Sequence, residues 1–358
     1  MSSELIIPQD KLNAGTVHWQ SPSNIAIIKY WGKHGIQLPQ NPSLSFTLQN
    51  ALTETKLSYT PKETPSVGID LDFWFEEQKN DAFGTKVKKY LEQLVPVFPF
   101  LEQLSLKIES INSFPHSAGI ASSASSMSAL ALCLCSMEDH FFGTLGDDAI
   151  FDRKASNLAR LGSGSASRSI FAGAAVWGKT NLVTGSSDEY AISVEERLHP
   201  IFKTFHDDIL IVSDAEKPVS SRAGHALMNN NPYASTRYTQ ATQRLDTLLQ
   251  ALEAGDLEKF GEITENEALT LHGLMMTSNP SYLLMEPKTI SIIQAIRRYR
   301  EETKIPVYFT LDAGPNVHML YPEEHIAAVR GFVHGELASM LHEGIYIPDF
   351  VGEGPEEV

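Results

Sequence analysis

Residues Leu104–Ile108 read LSLKI, apolar and polar in alternation, and the stretch from Ser123 to about Phe142 is rich in Ala, Leu and Met. The first pattern predicts a strand and the second a buried helix. Between them stands INSFPHSAGIASSAS, which places Pro115, Gly119 and a crowd of serines where the helix must begin. A strand, a Ser/Gly loop and an apolar helix in that order constrain the fold more than any other feature. The first N–H groups of a helix are unpaired and carry the positive end of its dipole. Small residues let an anion approach that backbone, and serine hydroxyls add donors. The same serines could instead cap an ordinary helix. The motif P-x-x-x-G-I-x-S-S-A, from Pro115 to Ala124, lacks the G-K-[ST] ending of a Walker loop, so any phosphate cradle here is of another kind.

The rest of the chain alternates strand and helix patterns. Asp147 to Leu161 predicts an amphipathic helix, and FAGAAVWG from Phe171 a buried strand. DDILIVSD, Asp207 to Asp214, reads as an apolar strand that opens a second half. Helical patterns follow over Pro232–Ala254, Leu257 to about Leu274 and Lys288–Thr303. PVYFTLDAG and VHMLY then read as strands around a turn at DAGPN, and a last helix is expected from about Pro322 to Leu341. The order suggests an α+β protein of two lobes, residues 1–195 and 196–358. The acidic end, GEGPEEV, reads as a frayed tail.

Charge sharpens the search. A formal net charge of −16 repels nucleic acid and anionic membranes, and it repels a polyphosphate in bulk as well. A phosphate site on such a chain must gather its own lysines, arginines and N–H dipoles. No apolar run approaches a bilayer span, and the N-terminus lacks the pattern of a secretory signal. The two cysteines, Cys133 and Cys135, are poorly placed on one helix to bond each other, which fits a reducing cytoplasmic setting and no structural zinc. The 12 histidines show no metal-ligand spacing.

Three more stretches carry cations or carboxylates beside small residues. SPSNIAIIKYWGKHG brackets two aromatics with Lys29 and Lys33 after a β-prone run. GSGSASRS, from Gly162, offers Ser163 and Ser165 with Arg168, whose fork can pair two anionic oxygens. TLDAGPNVHML puts Asp312 at the end of an apolar strand, where it is either a turn former or a base held on a rigid element. Each has an ordinary turn or cap as its alternative.

Together, P-x-x-x-G-I-x-S-S-A, NIAIIKYWGK, GSGSASRS and DAGPN resemble, in order, the motifs of the diphosphomevalonate decarboxylases. That family lies within the superfamily of small-molecule kinases that includes galactokinase, homoserine kinase and mevalonate kinase. SDAEKPVSSRAG, Ser213 to Gly224, also resembles a family segment. The resemblance implies a two-lobed small-molecule kinase fold, with an N-terminal α/β lobe of the kind found in a ribosomal protein and a ferredoxin-like C-terminal lobe. The active site would lie in the cleft between them. The implied reaction converts mevalonate 5-diphosphate and ATP to isopentenyl diphosphate, carbon dioxide, ADP and phosphate.

Roles follow from the same resemblance. Asn112, Pro115, Ser117, Gly119, Ile120, Ser122, Ser123 and Ser126 would hold the ATP phosphates, with Ser123 toward Mg2+ and Lys217 assisting. Asp312 would contact the 3-hydroxyl, and Lys29 would hold Asp312 and the transferring phosphate. Asn24, Tyr30, Lys33, Lys86, Ser163, Ser165 and Arg168 would bind the substrate, with Arg168 also counted as catalytic. A homodimer is implied by the family. The sequence departs from the family pattern at His116-Ser117, where Thr-Ala is common, and at Arg222, where threonine is common. The competing readings are a kinase that stops at the 3-phosphate, a decarboxylase of the monophosphate, and an ATP-binding module without turnover. The presence of both Lys29 and Asp312 favours the full decarboxylase.

Overall fold

Two long strands show how the lobes meet. The computed structural model describes residues 5–114, 120–215 and 218–358. The chain opens with β1 (Gly15–Ile28), a small hairpin of β2 (Lys33–His34) and β3 (Leu38–Pro39), and β4 (Ser43–Pro61). Next come β5 (Asp70–Phe75), β6 (Gln78–Lys79), α1 (Asp81–Leu94) and β7 (Leu104–Asn112). Helices α2 (Ser122–Phe142) and α3 (Asp148–Gly162) precede β8 (Ala174–Trp177), β9 (Ala191–Ser193) and α4 (Pro200–Lys203). Beyond them lie β10 (His206–Leu210), α5 (Ser221–Leu227), α6 (Ala234–Ala254), α7 (Leu257–Met276) and α8 (Pro287–Thr303). The chain ends with β11 (Tyr308–Thr310), β12 (Val317–Tyr321), α9 (Ile326–Phe332), β13 (Tyr346–Phe350) and β14 (Glu356–Glu357).

The first sheet runs β14-β1-β4-β7-β5-β6, with β8 and β9 joined to β4. The second is antiparallel throughout, in the order β11-β12-β10-β13. In β4 the half from Ala51 alternates buried Thr53, Thr55, Leu57 and Tyr59 with more exposed residues, as a sheet face under helices should. The half from Ser43 to Leu48 is buried on both faces, as is β1 from Ser21 onward. That double burial is why NIAII reads as a continuous apolar run. One face of the first sheet packs under α1, α2 and α3 through Leu91, Leu130, Leu134 and Leu158.

A second core is shared between the lobes. Ile25, Ile27 and Phe46 from the first sheet pack with Leu245, Leu248, Phe202, Phe205 and Phe260. Phe260 is the hub, with ring centroids 5.8 Å from Phe46, 5.0 Å from Phe202 and 5.2 Å from Phe205. Interleaved aromatics of this kind resist sliding, so the cleft above them has fixed walls.

Most predicted elements are present. One expectation is corrected and one refined. The helix expected over Pro322–Leu341 winds on from Ile326–Phe332 through a wider turn at Val333–Leu337 into a tighter one at Ala338–Met340, and the backbone leaves the helical region at Leu341. The acidic tail is not frayed: Glu356 and Glu357 pair with Gln20 and Trp19, and Val358 N–H donates to the His18 carbonyl at 2.9 Å. The edge of β1 offers unpaired backbone groups, and the tail takes them. Cys133 and Cys135 are free and buried, and burial pushes both thiols up. Among the described residues no helix is long and apolar enough to cross a membrane.

Asp349 ties the two lobes at the bend of β4. Its carboxylate accepts from the N–H groups of Gln49 at 2.9 Å, Asn50 at 2.8 Å and Ala51 at 2.8 Å, and the side chain is fully buried. Asp349→Ala leaves those donors without their acceptor and is expected to lower the free energy of unfolding in urea by about 3 kcal/mol. A loss below about 0.5 kcal/mol would mean that the bend holds without the carboxylate.

Candidate active site

The start of α2 answers the question posed by its serines. Ala121 is the residue that enters the helix, in a left-handed conformation at φ 43°, and among the described residues no side chain caps the helix there. Ser126 Oγ turns back to the Ser122 carbonyl at 2.7 Å, and Ser128 Oγ to that of Ala124 at 2.9 Å. These hydroxyls serve the helix interior. The first turn is left facing a cavity, with Ser122 and Ser123 on its wall. Ser123 Oγ lies 3.2 Å from Ser163 Oγ, which lies 3.5 Å from Ser165 Oγ, so a line of hydroxyls joins the two Ser/Gly loops.

The cavity has a volume of about 520 Å³ and is walled by both lobes. Lys29, Lys33, Arg168 and Arg222 line it, with Asp312 as the carboxylate on its wall. On a chain of net charge −16, this is a local reversal of sign. Lys29 follows β1 and is almost fully buried; its Nζ donates to Asp312 Oδ1 at 3.0 Å. Asp312 follows β11 in the other lobe, at a turn closed by Gly314 N–H on its carbonyl.

Arg168 is held by hydroxyl and amide oxygens. Its Nε donates to Ser45 Oγ at 2.5 Å, Nη1 to Ser43 Oγ at 2.7 Å and Nη2 to Asn24 Oδ1 at 3.4 Å. Burial pulls its pKa down to about 10, and Asp312 and Tyr30 oppose the fall, so it remains charged at neutral pH. Asn24 is itself engaged, donating to Ser169 Oγ at 2.8 Å and the Ser165 carbonyl at 3.1 Å. It orients Arg168 while lining the cavity.

Tyr30 packs against Trp177 and His225, with ring centroids 4.7 and 4.3 Å away. Its hydroxyl is buried without a partner among the described residues, and burial raises its pKa. A side chain at Gly164 would strike both Trp177 and Tyr30, so glycine is required where the loop passes that ring. Lys33 Nζ donates to Gln37 Oε1 at 2.7 Å; burial and then the Arg222 guanidinium lower its pKa.

Every predicted residue of the cleft among Asn24, Lys29, Tyr30, Lys33, Ile120, Ser122, Ser123, Ser163, Ser165, Arg168 and Asp312 lines this cavity. Lys86 does not. It stands 5.3 Å over the Phe83 ring in a second cavity of about 300 Å³, with Asn112 and Ser126. Helix α1, which carries Lys86, packs against β5, and the second cavity opens between α1 and α2. The two cavities share Ser122 and Ser123. Pro115, Ser117, Gly119 and Lys217 lie outside the described residues.

The sequence reading missed two residues on this wall. Arg222 stood there only as a departure from the family pattern, and the fold aims it into the cleft beside Lys33. His225 was passed over because it lacked metal spacing. Its Nδ1 accepts from Gly32 N–H at 3.0 Å, so the neutral ring carries its proton on Nε2. Gly32 sits at φ +102°, a turn geometry that suits glycine and brings this N–H to the ring. The SSRAG sequence before His225 was the available signal.

Two family models match the chain: a diphosphomevalonate decarboxylase-like N-terminal domain over residues 21–191, and a mevalonate 5-diphosphate decarboxylase C-terminal domain over residues 208–343. A diphosphomevalonate decarboxylase of Ganoderma lucidum is 33% identical over 330 residues, covering 86% of this chain and 79% of the relative. The mevalonate diphosphate decarboxylase of Staphylococcus aureus superposes with a TM-score of 0.83 at 29% identity, over 96% of this chain and 98% of the other. A structure of MDDEF in complex with MVAPP, AMPPCP and magnesium superposes at 0.80 with 30% identity, over 96% and 99%. With both halves matched in order and the whole fold superposed, the chain belongs to the diphosphomevalonate decarboxylase family.

Proposed function

We propose that this protein uses ATP to decarboxylate mevalonate 5-diphosphate, releasing isopentenyl diphosphate, carbon dioxide, ADP and phosphate. The observation that carries the reading is the Lys29–Asp312 pair, joined across the lobes at 3.0 Å in a cation-lined cleft that faces the start of α2. A tertiary hydroxyl is a poor leaving group, so the γ-phosphoryl group is transferred to it first. Asp312 accepts or orients the hydroxyl proton, and Lys29, 3.0 Å from Oδ1, holds the carboxylate in place. The C–O bond then breaks as phosphate departs, the carboxylate carbon leaves as carbon dioxide, and its bonding electrons become the alkene. Fixed N–H dipoles and buried cations hold the anionic groups without reorganising during the reaction.

Arg168, Lys33, Arg222, Tyr30, Ser163 and Ser165 bind the diphosphate and carboxylate of the substrate. Cations lining a cavity and without carboxylate partners among the described residues, as Arg168, Lys33 and Arg222 are, suit an anionic guest. The ATP phosphates lie on the start of α2. The adenosine end enters the second cavity, whose apolar wall includes Phe73, Val87, Ile108 and Leu130 and which opens on the same Ser122 and Ser123. Lys86 thereby moves from the substrate's diphosphate to the nucleotide. The Ser123 hydroxyl, on the cavity wall and with no acidic cluster among the described residues, fits Mg2+, which takes few protein ligands when phosphates supply the rest. Bound there, the ion would neutralise charge on the β- and γ-phosphates. We take residues 1–195 and 196–358 as the two lobes. The two free cysteines support a cytoplasmic setting.

Incubation with ATP, Mg2+ and mevalonate 5-diphosphate is expected to yield ADP and carbon dioxide in equal amounts; ADP without carbon dioxide would make the protein a kinase. Asp312→Asn should lower turnover by at least about 10²-fold while ATP affinity holds, because general acid–base contributions are of that order. Near-normal carbon dioxide release from this variant would remove the aspartate from the mechanism.

Arg222→Gln should raise the KM for mevalonate 5-diphosphate by about tenfold or more and leave that for ATP nearly unchanged, since a charge-assisted contact is worth roughly 1.5–3 kcal/mol. Equal effects on both substrates would move Arg222 to the nucleotide side.

His225 gives a prediction in pH. Burial, with Lys33 beside it, pushes its pKa down to about 3. The folded value lies below the unfolded one of about 6.5, so the ring's contribution is present above pH 6.5 and lost as pH falls toward 3. The His225 ring signals in an NMR titration should stay fixed between about pH 8 and 5, and His225→Gln should make the acid-side loss of stability shallower. A titration midpoint near 6.5 would show the ring to be open to protonation.

A further inference from the structure

Lys29 and Asp312 come from different lobes, and a single helix holds the backbone of each. The Lys29 N–H donates to Glu267 Oε2 of α7 at 2.9 Å. The Lys29 carbonyl accepts from Arg237 Nη2 of α6 at 3.2 Å and from Asn41 Nδ2 at 3.1 Å. Arg237 in turn grips both Glu267 oxygens at 2.6 Å, and Arg244 Nη1 adds a bond to Oε1 at 2.8 Å. Five residues along the same helix, His272 Nε2 lies 3.0 Å from the Asp312 carbonyl oxygen. A carbonyl only accepts, so Nε2 carries the proton. Glu267 and His272 are both buried and stand about 7.5 Å apart along the helix axis.

This arrangement is a poor way to gain stability alone. A buried ion pair costs desolvation that apolar packing avoids, and apolar replacements are often as stable. The network is also incomplete, because Arg237 Nε is buried without a partner among the described residues. Burial alone would push Glu267 up, but the Arg237 guanidinium and the hydrogen bonds from Arg237, Arg244 and the Lys29 N–H hold it below the usual carboxylate range. What charged and polar groups supply here is a fixed acceptor and donor for the main chain of Lys29, where β1 ends and an apolar side chain could offer neither.

We propose that α7 is the element that sets the geometry of the Lys29–Asp312 pair, with Glu267 and His272 as positioning residues that hold the two backbones at a fixed separation. The inference rests on the reading that this pair carries the chemistry. The side chains of Glu267 and His272 act on the reaction through Lys29 and Asp312, so their loss is felt in turnover more than in binding. The same helix supplies a control. Glu265 pairs with Arg300 at 2.6 Å and Arg297 at 3.2 Å, a network of similar type that touches neither Lys29 nor Asp312.

The test compares Glu267→Gln, Glu265→Gln, His272→Ala and His272→Gln, each by melting temperature and steady-state kinetics with ATP, Mg2+ and mevalonate 5-diphosphate. Glu267→Gln and His272→Ala are expected to lower kcat by about tenfold or more with both KM values within about twofold. Added to Asp312→Asn, Glu267→Gln should cost less than about threefold further, because groups acting through one pair are not additive. His272→Gln, which keeps a donor, should recover most of the lost kcat, and Glu265→Gln should lower the melting temperature with kcat unchanged. If Glu267→Gln fails to fold, the two His272 variants decide the matter. Unchanged kcat in His272→Ala, or in a folded Glu267→Gln, while Asp312→Asn is inactive, would overturn this inference and leave the parent reading intact. An active Asp312→Asn would sink the parent reading instead.

Discussion

The proposed chemistry depends on one contact, the 3.0 Å bond between Lys29 Nζ and Asp312 Oδ1. Its partners are 283 residues apart in the chain and follow strands of different sheets. Such a contact survives only if the lobes cannot drift, and the shared core supplies that rigidity. Phe46 from the first sheet is wedged among Phe202, Phe205 and Phe260, and the doubly buried halves of β1 and β4 join this shared core below the cleft. The lobes are therefore a single mechanical unit around a cleft.

Charge is distributed to the same end. Most of the acidic surplus is on the surface, where it costs little, while the cleft collects Lys29, Lys33, Arg168 and Arg222. Arg168 illustrates the device. Hydroxyls of Ser43 and Ser45 satisfy its N–H groups without neutralising them, so the positive field remains available to a guest. The first turn of α2, without a side-chain cap among the described residues, adds the partial charge of its N–H groups.

The fold was largely legible in the sequence because its elements have strong periods. The alternation in LSLKI, the Ala/Leu run after Ser123 and the long helical patterns from Pro232 each matched an element nearly in full. The errors lay where tertiary pairing overrides local pattern. GEGPEEV carries no strand signal, yet the open edge of β1 gives it a partner. The final helix keeps nearly its predicted span and changes only its winding, from α over Ile326–Phe332 to a wider and then a tighter turn up to Met340.

For the site, motif and chemistry named the residues, and only the fold could say which of them meet. Ser122, Ser123, Ser163, Ser165, Lys29, Arg168 and Asp312 were readable because small residues, cations and a carboxylate stand out in local sequence. Lys86, assigned only through the family resemblance, lies in a different cavity, because its place depends on how α1 packs against β5. Arg222 and His225 had only the SSRAG segment to mark them, and nothing local marks Glu267 or His272; all four matter through what they touch across the lobe boundary. The sequence by itself determined the element types, the sign of the charge that had to be gathered and the chemistry on offer, since these follow from residue identity and short periods. The tertiary structure alone decided which backbone atoms are clamped, which serines face the cavity and which cations share it, because those are distances between residues that the chain keeps hundreds of positions apart.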